Sequence, residues 1–265
     1  MNSTGARHEG RRDHPAYYKE SRAWLERCLD SVAAQSHPCT HIVVADGHPQ
    51  DWIDERQVRH LRLDRPHADY GDTPRALGGL MAANEGFDAI CFLDADNWYG
   101  RHHVLSCLRL AQQQEVDYVT TKRHMVRDDG SILPLRIRED CDGSHVDTNC
   151  YFLLRGAFHT LARWTLMPQP MHVYGDRVYL ASLREEGLRT VCTEERSVHY
   201  LCTWAHLFRA VGETPPAYAK EPKPLAELPR WYAGLPPREK QLTQRLSGMS
   251  PPAPRAATAP ETVHA

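Results

Sequence analysis

The sequence predicts an α/β domain built on an open, mostly parallel sheet with helices on both faces. Three observations carry that expectation. Short β-branched runs alternate with helix-period segments over the first 120 residues. One run, Asp88-Ala-Ile-Cys-Phe-Leu93, is apolar throughout, as a buried strand should be. Charged residues make up 25% and hydrophobic ones 41%, which fits a globular chain and excludes a collagen, a membrane protein or a wholly disordered one.

Each element follows from local pattern. Residues 20–35 place Trp24, Leu25, Cys28, Leu29 and Val32 on one face of a helix. His41-Ile-Val-Val-Ala-Asp46 closes on Gly47, a strand ending in a turn, and residues 58–63 make a second strand. Thr73 offers an N-cap and Pro74 the first helical position, with the C-cap at Gly86. Residues 88–93 are the buried strand, 101–115 a helix and 116–121 another strand. The pattern then changes. Residues 122–127 and 131–136 flank Asp128-Asp129-Gly130 as a β-hairpin. Residues 149–154 read as a strand, 176–186 as a helix stopped by Gly187, and 188–192 as a strand. No internal repeat is visible.

The chain divides unevenly. Residues 1–14 are polar, 15–212 form the domain, and 213–265 are a Pro-rich tail expected to be partly disordered. Eleven of the nineteen prolines lie beyond residue 213, so residues 214–237 and 250–265 are expected to sustain neither helices nor a central strand. Trp231 and Tyr232 mark a stretch able to dock on the domain, and disorder is expected from Ser247 onward. A net charge of −2 leaves no general excess to coat nucleic acid. No apolar run approaches the roughly 18 residues of a membrane span, and residues 1–14 lack the apolar core of a signal peptide. The expectation is a cytoplasmic protein, or one peripheral at the inner face of the membrane. None of the eight cysteines stands in CxxC spacing, so a structural zinc site is poorly supported and reduced thiols are expected.

The informative chemistry is Asp94-Ala95-Asp96, directly after the apolar strand. With eighteen Asp in the chain, an Asp-x-Asp pattern arises about once by chance. A second one, Asp140-Cys141-Asp142, has no strand before it. Placement separates the two. In open α/β sheets ligands bind beyond the carboxyl ends of strands, and two acids there call for a cation or for capping work in the next turn. Their oxygen atoms suit a hard divalent ion.

At this point the residues resemble the GT-A glycosyltransferases of the family 2 type. The resemblance rests on residues 21–35 (SRAWLERCLDSVAAQ), 41–47 (HIVVADG), 73–97 (TPRALGGLMAANEGFDAICFLDADN) and 174–187 (YGDRVYLASLREEG), in that order and spacing, and spans roughly residues 15–210. It implies a GT-A-like sheet with an antiparallel acceptor-side region. It also implies an inverting, metal-dependent transfer of a sugar from a nucleotide-sugar, a UDP-sugar first among them. The acceptor would be a carbohydrate, a lipid-linked molecule or a small molecule, in polysaccharide or related synthesis.

Residue by residue, the resemblance makes Asp96 a direct ligand of Mn²⁺ or Mg²⁺, with Asp94 toward the ribose or reaching the metal through water. A cation on the departing diphosphate would stabilise the charge it develops. Asp46 corresponds to an acid near the nucleotide base, where the family commonly has two; a strand-end turn with Gly47 is the alternative. Arg75 matches an Arg near the nucleotide, or is a first-turn surface residue. Asp176 matches the catalytic base, where Gly175-Asp176 replaces the frequent Glu-Asp; the alternative is a helix N-cap. His199 stands where some members place a third metal ligand, with His206 as its competitor. Trp98 and Tyr99 could stack on a sugar or pack in the core.

One departure stands out. The family's first strand precedes the position of Pro15, but residues 7–14 hold no aliphatic side chain, so that strand is expected to be missing. Tyr17 would still help wall the nucleotide base. The competing functional reading is a non-catalytic relative that binds a sugar, a nucleotide or a protein. A nucleotidyltransferase is disfavoured, because no glycine-rich phosphate loop is present.

Overall fold

The computed structural model describes residues 21–135, 144–222 and 227–248. Tyr17, the polar segment 1–14 with the question of a first strand, the Asp140/Asp142 pair and the chain beyond 248 lie outside the described residues.

Among the described residues seven strands form two sheets. β1 (Ile42–Asp46) and β2 (Arg59–Leu63) pair in parallel, with Ile42 opposite Arg59 and Asp46 opposite Leu63. The larger sheet contains β3 (Ala89–Cys91), β4 (Trp98–Tyr99), β5 (Tyr118–Val126), β6 (Tyr151–Leu154) and β7 (Thr190–Leu201), in the order β3-β6-β5-β7-β4. β7 runs parallel to β5, with register shifts on either side of Lys122. β6 is antiparallel to both β3 and β5, and β4 is antiparallel to β7. The α/β class holds, with parallel pairing confined to β1–β2 and β5–β7. The cause is topological. The crossover from β3 through helix α3 (His103–Gln113) to β5 leaves one strand's width between them, and β6 fills it in the opposite direction.

Helix α1 (Arg22–Ala33) buries Cys28 and Leu29, part of the face its periodicity marks. Helix α2 (Asp72–Asn84) begins one residue ahead of the expected Thr73 cap. Instead of capping, Thr73 donates its N–H to Asp69 Oδ2 at 2.9 Å. Pro74 still falls in the first turn, where an absent N–H costs nothing. The loop before it holds Ala68, Tyr70 and Gly71 at φ of 57°, 61° and 84°. Left-handed backbone at two non-glycine residues costs roughly 1–2 kcal/mol each, a strain that surrounding contacts must sustain. Gly86, at φ 87°, ends the helix as its sequence predicts.

Under the strand end lies an aromatic hub. Trp164, in α4 (Arg163–Leu166), stacks on Tyr179 of α5 (Gly175–Glu185) with centroids 4.2 Å apart, and Phe92 meets both edge-on at 5.8 and 6.5 Å. All three are buried. Such pairs contribute about 0.5–1.5 kcal/mol each beyond their burial. Because Phe92 precedes Asp94 by two residues, this hub anchors the acidic loop.

Several boundaries differ from expectation. The strands read at 116–121 and 122–127 merge into the nine residues of β5, and the hairpin reduces to one bridge between Val126 and Ile132. β7 reaches Leu201, well past the expected end at 192. Helix α6 (Ala205–Ala210) is short. In the Pro-rich region, where no helix was expected, α7 (Glu227–Gly234) forms, followed by α8 (Pro237–Ser247). Their prolines explain the difference: Pro229 and Pro237 occupy first turns, where proline is tolerated. Leu228 is buried and Trp231 packs on the main core, while α8 packs against α4 and α5. Among the described residues, no helix is long and apolar enough to cross a membrane, and the seven cysteines are free thiols.

Candidate active site

Asp94 and Asp96 sit on the loop between β3 and β4, as the apolar strand and its acidic end predict. Asp94 is held from two sides. Its N–H donates to Asn149 Oδ1 at 2.6 Å, and its Oδ2 accepts from Asn149 Nδ2 at 3.0 Å. Its Oδ1 is ion-paired with Arg75. Arg75 also donates to Asp72 Oδ1 at 2.9 Å and to the Tyr70 carbonyl at 2.9 Å. Its guanidinium lies 5.5 Å from the Trp164 ring centroid. Asp72 in turn lies 2.7 Å from His172 Nδ1. On the far side Asn149 Nδ2 donates to Asp147 Oδ1 at 2.7 Å, and Asp147 is ion-paired with Arg123. One polar chain therefore runs from His172 through Asp72, Arg75, Asp94, Asn149 and Asp147 to Arg123.

Burial sets the electrostatics. Asp72 is 1% exposed, and that burial raises its carboxyl above the usual range, although His172 and Arg75 oppose the shift. Burial, and then the Asp94 charge, push Asp96 up to about 7, with Lys220 opposing. Buried carboxylates in this state need positive charge: Arg75 pairs with both Asp72 and Asp94, and Lys220 acts on Asp96.

Asp176 lies in the first turn of α5, whose N-cap position belongs to Tyr174, so the capping alternative does not describe it. Its Oδ1 accepts the Arg177 N–H at 2.7 Å, and its Oδ2 lies 2.6 Å from His145 Nε2. Burial would raise its carboxyl, but His145 and the Arg177 N–H hold it below the usual range. Gly175 joins this corner to the polar chain around Asp94: a Cβ there would sit 2.6 Å from Asp72 Oδ2. The carboxylate of Asp72 fills the space that a side chain at 175 would need, which is why glycine precedes Asp176.

The remaining candidates separate. Asp46, at the end of β1, accepts from the His67 N–H at 3.0 Å and lies 2.5 Å from His67 Nδ1. Gly47 at φ 76° packs so tightly on Pro66 that only glycine fits, so the strand-end turn is real and still presents the carboxylate of Asp46. His199 does not gather with the acidic pair. Its ring stacks on Trp98 at 5.3 Å and 4°, and burial lowers its basicity. Arg27 also stacks on Trp98, its guanidinium 3.8 Å from the ring centroid, so the ring is packed by protein groups rather than standing free for a sugar. Tyr99 is buried, stacks on His103 and donates its hydroxyl to the Phe92 carbonyl at 2.5 Å. His206 is exposed on α6. Among the described residues no three His, Cys, Asp or Glu side chains assemble as a metal site. Asp94 and Asp96 are the acids of this loop that could take part in holding a hard divalent ion, though both oxygens of Asp94 are already engaged, by Arg75 and by Asn149.

Sequence reasoning missed Asp72, His145, Asp147 and Asn149. Asp72 stood beside the expected cap and drew no notice. The other three lie close together in His145-Val-Asp-Thr-Asn149, just ahead of β6, where Asp147 caps the short 3-10 helix Thr148–Cys150; an Asp two residues before an Asn at such a cap was the available signal.

In open α/β sheets, ligands bind beyond the carboxyl ends of the strands, where the acidic turn of this chain lies. Residues 15–187 match the profile of glycosyl transferase family 2, and the chain belongs to that family. Its fold is GT-A-like. Crystal structures of S. aureus TarS share it. TarS itself is 12% identical, over 72% of this chain and 37% of that one, with a TM-score of 0.51. TarS 1–349 is 12% identical over 74% and 61%, with a TM-score of 0.52. TarS 1–349 in complex with UDP-GlcNAc is 13% identical over 85% and 76%, with a TM-score of 0.51. This chain thus spans about a third of the TarS chain, and at these identities the likeness is one of fold. No curated protein sequence matches it.

Proposed function

We propose that the chain transfers a sugar from a nucleotide-sugar to an acceptor hydroxyl, with inversion at the anomeric carbon. The observation that carries the reading is the polar chain joining Asp94 to Asp72, whose carboxylate abuts Gly175 beside Asp176. This contact supports a reading in which acids near the donor and a candidate base belong to one site. The complex of TarS 1–349 with UDP-GlcNAc supports a UDP-sugar as the first donor to try.

In this reading the acceptor oxygen attacks the anomeric carbon while its proton passes to the Asp176 carboxylate. The bond from that carbon to the diphosphate oxygen breaks, and its electron pair leaves with the nucleoside diphosphate. Asp176 suits the task because its low pKa keeps it ionised at neutral pH. Asp96, with Asp94, would hold Mn²⁺ or Mg²⁺, which when bound would neutralise charge on the leaving diphosphate. Arg75 anchors Asp94, and Asp46, at the end of β1 and now engaged by His67, would take part in holding the nucleotide base in this reading.

The test is a panel of nucleotide-sugars, each with and without Mn²⁺, read by binding and by release of the nucleotide. Turnover with one donor, abolished by Asp96→Asn, is the expected result. Asp176→Asn should keep donor binding and lose transfer. Binding without turnover in the wild type would favour the non-catalytic relative, and no binding of any donor by folded protein would end both readings.

A further inference from the structure

His145 was not among the residues marked by the sequence, yet it contacts the candidate base directly. It is 7% exposed, and its Nε2 lies 2.6 Å from Asp176 Oδ2. The segment that carries it has a consistent arrangement. Alternate residues from 145 to 149 each hold a different element: His145 grips Asp176 of α5, Asp147 pairs with Arg123 of β5, and Asn149 binds Asp94 after β3. Asp147 caps the short 3-10 helix Thr148–Cys150 and accepts the Asn149 N–H at 3.0 Å, so the segment ends in a helical turn that turns Asn149 toward Asp94. Four residues of extended backbone reach at most about 13 Å, so one short strap limits how far the candidate base and the donor-side acid can part.

We propose that His145 is the positioning residue for Asp176, fixing the rotation and charge state of that carboxylate and tying it to the donor side through the 145–149 strap. The inference rests on the sugar-transfer reading above. Asp176 has one oxygen on its own helix's Arg177 N–H and the other on His145. Loss of the imidazole would leave the carboxylate held by the Arg177 N–H alone, with Oδ2 no longer fixed. During transfer the acceptor's proton goes to Asp176 and later to solvent, while His145 keeps its own. Burial would depress the imidazole, but the Asp176 hydrogen bond and charge outweigh it and raise His145. The other groups facing the pair are Arg123 of β5, Tyr151 of β6, and Asp147 and Arg177 in the adjoining chain. Arg123 opposes protonation of His145 and Asp147 favours it.

The experiment uses the full chain and two readouts. The first is the pH profile of kcat at saturating donor for wild type, His145→Ala and His145→Gln. In His145→Ala the acid limb should move up by about one pH unit, a tenfold loss at the acid end that shrinks toward pH 9, with the donor KM unchanged. His145→Gln keeps a donor group at similar reach and should recover much of the rate. An unchanged acid limb in folded His145→Ala would overturn the inference. So would an equal loss at every pH with a raised donor KM, which would mark a merely structural role. The second readout is the imidazole NMR titration, which needs no turnover. His145 should titrate above the ordinary value of 6.5 in wild type and fall in Asp176→Asn. Ordinary titration in wild type would remove the pair even if transfer is observed. A raised titration in a wild type inactive with every donor would instead defeat the sugar-transfer reading, and the role proposed for His145 with it.

Discussion

Gly175→Ala tests whether Asp72 and the start of α5 are as tightly packed as the geometry implies. Gly175 has φ −48° and ψ −45°, ordinary helical backbone. At such a position alanine usually stabilises a helix by about 0.5–1 kcal/mol. Here the added Cβ would stand 2.6 and 2.8 Å from the two carboxylate oxygens of Asp72. That side chain cannot easily yield, because it is 1% exposed and held by His172 at 2.7 Å and Arg75 at 2.9 Å. Overpacking a filled site costs about 1–3 kcal/mol, which offsets the helix gain and leaves a net loss of up to about 2.5 kcal/mol. For a chain of this size that is a fall of up to about 10 °C in Tm. Urea or thermal unfolding reads it, with Gly234→Ala as control, since a Cβ at Gly234 meets nothing within 4 Å. The displaced Asp72 would also disturb Arg75 and hence Asp94, so donor binding should weaken. A Gly175→Ala protein as stable as wild type, with unchanged donor binding, would refute the packing argument.

Three further outcomes follow from the same polar chain. Arg75→Ala breaks a pair whose side chains are 14% and 2% exposed, and leaves Asp72 with a single partner; a loss of about 3–5 kcal/mol is expected in urea unfolding, as for other broken buried pairs. Asn149→Ala removes three hydrogen bonds of a fully buried amide; it should cost about 1–3 kcal/mol and raise the donor KM by loosening Asp94. The third concerns pH without divalent cations. Asp96 moves from 3.8 unfolded to about 7 folded, so between those values the folded state binds more protons. Stability should therefore fall as pH rises from about 4 to 7, by at most about 4 kcal/mol and by less because Asp96 is only partly buried. Urea unfolding in EDTA at pH 5 and 8 measures the fall, which Asp96→Asn should remove.

The strength of the sequence reading varied with the kind of signal. The apolar run before Asp94 declared a buried strand with an acidic end, and residues 174–187, one of the stretches that carry the family resemblance, singled out Asp176 as a candidate base. Both are contiguous patterns, read from neighbours in the chain. The helices at residues 227–247 were hidden by their prolines, because composition does not tell a first-turn proline from a helix breaker. His199 and Trp98 looked available from their place beside the acids, but pairing of β4 with β7 stacks them on each other.

Local sequence by itself settled the α/β class, the acidic turn and the position of Asp176, since those depend on periodicity and on residues a few places apart. Tertiary structure alone decided the sheet order, with β6 inserted between β3 and β5, and the partners that hold the acids. Asn149 is 55 residues from Asp94, His145 is 31 from Asp176, and His172 is 100 from Asp72. Buried carboxylates must find donors wherever the fold brings them, and nothing in the local chain records which ones arrive.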